Sequence, residues 1–139
     1  MADTFSPEER AAMKQRSKEV RTRKGRTTPD EDRAEVLAMI ADLADDERRL
    51  AERVYAVVAA TAPDLVPRTW YGSPAWAKGG KVVLFYQPAS KFTVRYATLG
   101  FSETATLDDG AMWPTSYAIA DVTPEVEQRI ATLVERAAG

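Results

Sequence analysis

The side chains with the greatest concentration of recognition chemistry in this sequence are aromatic. Trp70, Tyr71, Trp76, Tyr86, Tyr96 and Trp113, with Arg95 among them, fall between Pro67 and Asp121, a stretch that holds ten of the twelve aromatic residues. If one face of a sheet were left uncovered, this set would line a groove, because small-ligand sites combine apolar walls with a few polar groups. The same rings equally suit core packing or self-association. Catalytic candidates are fewer. Histidine and cysteine do not occur, which removes disulfides, thiolate nucleophiles and the usual zinc and haem ligands. Any general base would be Asp, Glu, Lys or Tyr, and any bound metal a hard cation held by oxygen. Ser73 has no histidine to activate it, and neither a G-x-S-x-G elbow nor a phosphate-binding glycine loop is present. Asp108 and Asp109 are adjacent and followed by Gly110, which suits a turn better than a carboxylate pair. The sequence therefore points to a binding or carrier module and away from an enzyme.

Charge is unevenly spread. Residues 1–28 carry eight Lys or Arg against four acids, while the rest of the chain carries eleven against seventeen, within a net charge of -2. In the first part Arg10, Lys14, Lys18 and Arg21 share a helical face, with Arg16, Arg23, Lys24 and Arg26 around it. No aromatic residue is interleaved with these charges and the remaining chain is acidic, which argues against a nucleic-acid partner. Docking on an acidic protein surface, its own or a second subunit's, fits better. No apolar run long enough for a membrane span occurs, and Met1–Arg10 lacks the apolar stretch of a signal peptide. A cytoplasmic location is expected.

The elements that must position these residues can be read from periodicity. Ser6-Pro7-Glu8-Glu9 has the grammar of a helix start. The stretch that follows has only Met13 and Val20 as large apolar residues up to Lys24, too few for a docking stripe, so residues 1–28 read as a basic helical arm and linker and 29–139 as the folded domain. Val36, Leu37, Ile40 and Leu43, then Leu50, Val54, Val57 and Val58, fit two helices or one kinked near Ala44, with Asp45 as the expected cap of the second. Lys81–Tyr86 and Lys91–Tyr96 are the clearest predicted strands; Arg68–Tyr71, Pro74–Ala77 and Pro114–Ile119 are weaker. Lys78-Gly79-Gly80-Lys81 predicts a tight hairpin and Gln87-Pro88-Ala89-Ser90 a second turn. Thr123-Pro124-Glu125 opens a last helix whose stripe is Val126, Ile130, Leu133, Val134 and Ala137. This order predicts an α+β domain, an antiparallel sheet packed by helices from both ends of the chain. Lys81–Tyr86 is apolar on both faces, so a second cover is expected from a dimer partner, the arm or a ligand.

Thr69-Trp70-Tyr71-Gly72-Ser73-Pro74-Ala75-Trp76, followed by Lys78-Gly79-Gly80-Lys81 and the aromatic strand ending Phe85-Tyr86, resembles the YdhG-like domain family. The signature there is Tyr-Gly-x-Pro-Ala-aromatic before a glycine hairpin. Arg95–Phe101 and Leu107–Pro114 are similar too, so the likeness spans roughly residues 30 to 138. It implies a frataxin-like sandwich and, for some members, intracellular iron chaperoning by surface carboxylates. No tightly bound cofactor is implied, and iron would be cargo.

Under that resemblance the acids of the helical region are the metal candidates. Asp42, Asp45 and Asp46 are spaced so that a continuous helix would gather them, and Glu31 and Glu35 form a similar pair. Helix caps and a solvated face, interleaved with Arg48, Arg49 and Arg53, are the plainer account of the same residues. The alternative function is a small-ligand or protein-interaction module working through the aromatic sheet.

Overall fold

A computed structural model describes residues 7–11 and 28–139. Residues 7–11 are helical, as Ser6-Pro7 predicts; the rest of the basic arm lies outside the described residues. Helix α1, Pro29–Ala41, starts where Thr28 turns from extended backbone and its hydroxyl accepts the Glu31 N–H at 3.1 Å. Proline at the first helical position lacks the donor that would otherwise be orphaned. Thr28 thus belongs to the domain as its first cap. Helix α2, Asp45–Thr61, follows after a break. Its N-cap is Ala44, without a side-chain bond. Asp45 is therefore not the cap expected from sequence. It is the first helical residue, where its charge meets the positive helix end and Arg48, 3.3 Å away.

Five strands follow in an antiparallel meander: β1 Val66–Trp70, β2 Ser73–Lys78, β3 Lys81–Gln87, β4 Ala97–Phe101 and β5 Ser116–Ile119, each hydrogen-bonded to its neighbour in sequence. Tyr71-Gly72 and Gly79-Gly80, all at positive φ, make the first two connections. Two consecutive left-handed residues give the turn whose twist matches that of the strands. The strand expected at Lys91–Tyr96 does not form. Ala89–Phe92 is a 3₁₀ turn, and Thr93 is left-handed at φ 53°. Ser90 fixes the turn by donating its hydroxyl and its backbone N–H to the Glu47 carboxylate of α2. The strand starts instead at Ala97, and the last one at Ser116 instead of Pro114.

Helix α3, Pro124–Ala138, is capped by Thr123, whose hydroxyl accepts the Val126 N–H at 3.2 Å. Its far end is satisfied by neighbours: the Thr106 hydroxyl donates to the Arg136 carbonyl, and Lys78 donates to that of Ala138 at 2.9 Å. Arg53 of α2 donates to the Val122 carbonyl at 2.9 Å and pairs with Glu127, fixing where α3 begins against α2.

Strand parity decides what the helices cover. Register sets Pro67, Trp76, Leu84 and Phe101 in one row, and Tyr86, Leu99 and Tyr117 in the next. Trp76, Leu84, Tyr86, Leu99 and Phe101 form one core with Val36 and Ile40 of α1, Val54 and Val58 of α2, and Ile130 and Val134 of α3. The opposite face carries Trp70 against Phe85, ring centroids 5.0 Å apart, and Phe85 lies over Gly100, its cross-strand partner. The result is an α+β domain. Among the described residues no helix is long and apolar enough to cross a membrane.

Candidate functional site

The break between α1 and α2 separates the carboxylates that a continuous helix would have gathered. Asp42 is the exposed C-cap of α1, whereas Asp45 and Asp46 stand in the first turn of α2, paired with Arg48 and with Arg49 at 3.8 Å. Glu31 is exposed. Glu35, one turn along, is drawn onto the sheet, where it accepts the Thr69 hydroxyl at 3.1 Å. Among the described residues no three Asp or Glu side chains are placed to hold one metal ion.

The expected aromatic set is divided among four places. Trp76 and Tyr86 are both in the core, Trp76 with its ring centroid 6.2 Å from that of Tyr55. Trp70 lies on the opposite face, edge-on to Tyr71 at 4.9 Å. Arg95 and Tyr96 are exposed in the β3–β4 connection, the guanidinium 5.3 Å from the ring centre. Trp113 is half-buried in the loop before β5. These side chains do not share a groove. Burial, helped by the charge of Glu47, raises the Tyr86 phenol from 10.0 to about 12, so it remains neutral and is no proton shuttle at neutral pH.

A groove does exist, between the edge strand β5 and α3. Its volume is about 310 Å³, at the lower end of the range for small-ligand sites. Leu99 of β4, Tyr117 and Ile119 of β5, and Val126, Ile130 and Leu133 of α3 supply apolar walls; Thr123, Asp121 and Arg129 supply polar groups. The geometry follows from α3 being tied to α2 at its start and to Thr106 and Lys78 at its end. Ile130, Val134 and Ala137 reach the core, while Val126 and Leu133 stay half-buried over the sheet edge. Asp121 is engaged locally, its carboxylate accepting the Val122 N–H at 2.8 Å. The sequence carried a signal for this site. The α3 stripe runs from Val126 through Leu133 to Ala137, wider than one row of core contacts requires, and the outer half walls the groove.

Compared with protein-family models, with curated proteins and with solved structures, the chain matches none. The functional reading therefore rests on this geometry.

Proposed function

We propose that this protein is a non-catalytic binding or carrier domain that holds a small, largely apolar ligand in the groove between β5 and α3. The observation that carries the reading is the groove itself, with half-buried Val126, Leu133 and Tyr117 facing a space of about 310 Å³. Covering half-exposed side chains of this kind contributes roughly 25 cal/mol per Å² of apolar surface removed from water. The test is uptake of a neutral apolar fluorophore, N-phenyl-1-naphthylamine, by the wild-type protein and by Leu133→Trp, whose larger ring fills the space. Saturable fluorescence enhancement with the first and its loss with the second, at unchanged circular dichroism, supports the reading. Equal behaviour of the two proteins would sink it.

An iron-carrier role, which the YdhG-like resemblance implies together with a frataxin-like sandwich, stands second. Its support is that Asp42, Asp45 and Asp46 are all exposed near the α1–α2 break. Weak, open binding of a hard ion with retained waters suits such groups, although arginines already neutralise two of the three. Anaerobic titration with ferrous iron, using calcium and magnesium as controls, separates the readings. Iron-selective, saturable heat that disappears on changing the three aspartates to asparagine would move the proposal to the carboxylates.

A further inference from the structure

We infer that the ligand of the β5–α3 groove is an amphipathic carboxylate, with its hydrocarbon part against Leu99, Ile119, Ile130 and Leu133 and its head on the Arg129 guanidinium. This rests on the groove being the binding site proposed above. Arg129 is one turn on from Val126 and one turn before Leu133, so it stands exposed at the border of the apolar stripe of α3, on the side that walls the groove. Intramolecular pairing does not engage it there. The other arginines on the helices of the domain, from α1 to α3, are engaged: Arg33 with Asp30, Arg48 with Asp45 and Glu52, Arg49 with Asp46, Arg53 with Glu127, and Arg136 with the Leu107 carbonyl. Arg129 makes neither an ion pair nor a hydrogen bond to any described residue.

Its position is that of a head-group receptor. A second hollow of about 250 Å³, lined by Gln128 and Thr132, shares Tyr117, Arg129 and Leu133 with the groove. Arg129 therefore stands where the two meet, open to solvent and beside apolar walls. A guanidinium with five fixed donors matches a carboxylate in two-point fashion, and pairing next to an apolar surface is stronger than in open water. Asp121, the acidic lining residue, opposes an anion, but its own hydrogen bond to Val122 holds it to the strand–helix connection. The volume suits a short alkyl or single-ring acid and excludes a long folded chain.

The experiment displaces the neutral fluorophore from the full-length protein at neutral pH with three probes of one chain length: octanoate, octan-1-ol and octylamine. Octanoate is expected to displace at about tenfold lower concentration than octan-1-ol, the ratio a single charge-assisted contact provides. Arg129→Gln should remove that advantage, bringing octanoate level with octan-1-ol in the same variant, and Arg129→Lys should restore part of it. Equal displacement by octanoate and octan-1-ol in the wild type, or octanoate binding unaffected by Arg129→Gln, would overturn the inference while leaving the groove a site. Preferential displacement by octylamine would assign recognition to Asp121 instead. No fluorophore uptake at all would remove the site and this inference together.

Discussion

At the scale of single residues, parity explains most of what the side chains do. Trp70 and Trp76 belong to one hairpin, yet only the second enters the core. The two-residue turn Tyr71-Gly72 sets Trp70 opposite Ser73, and Trp76, three positions beyond Ser73, then points to the other face. The composition of this stretch announced aromatic side chains but not their faces, because a face depends on turn length and a one-residue change reverses every side chain. Phe85 and Gly100 show the same logic on the face opposite the helices. A methyl group at Gly100 would lie well inside contact distance of the Phe85 ring, so Gly100→Ala is expected to destabilise by about 1–3 kcal/mol, as overpacking does. Urea unfolding would read this as a lower midpoint, and Phe85→Leu should reduce the penalty by vacating the ring position. Tyr86 gives a pH prediction. Its phenol holds its proton to about pH 12 in the folded protein against 10.0 ordinarily, so between those values the folded state binds more protons than the unfolded. Stability therefore falls as pH rises through that window, by up to about 3 kcal/mol from this group. Tyr86→Phe should show a shallower alkaline decline in denaturation midpoint.

Elements were legible to different degrees. The last helix opens as its sequence grammar predicts, with Thr123 accepting the Val126 N–H; Thr28, read from sequence as the end of the linker, plays the same part for α1 by accepting the Glu31 N–H. Thr123→Ala should cost about 1 kcal/mol of stability, the usual value of such a cap, and should loosen the start of α3, which is one end of the groove. Fluorophore affinity and thermal midpoint, measured together, check this; unchanged values for both would refute it. The misplaced strand has a tertiary cause. Phe92, Val94 and Tyr96 alternate as in a sheet, but the Ser90–Glu47 contact pins the chain to α2, and the left-handed Thr93 redirects it before pairing begins at Ala97. No local pattern announces a bond between residues 43 positions apart. The candidate site was hidden for a related reason. The apolar stripe of α3 was visible, but the fraction of it that the sheet covers depends on where Arg53, Lys78 and Thr106 anchor the helix. The two sheet edges also differ. β1 carries Pro67 and Arg68, residues that discourage further strand pairing, whereas β5 is Ser-Tyr-Ala-Ile with no such guard, which leaves the groove's strand side approachable.

For the whole molecule, one core joins all three helices of the domain to the sheet, so unfolding should be a single cooperative transition. Tryptophan fluorescence and far-ultraviolet circular dichroism are expected to coincide through urea denaturation. Separate midpoints would show that α1 or α3 detaches on its own. The meander has a kinetic consequence. Each strand pairs with the strand next to it in sequence, so the sheet can assemble through short loop closures, which are fast. The bond that ties α2 to the start of α3 spans 69 positions, so α3 is expected to be the last element to dock. If it docks after the rate-limiting step, a groove ligand meets its wall only on the native side of that barrier. Such a ligand would lengthen the lifetime of the folded state and leave the speed of folding unchanged.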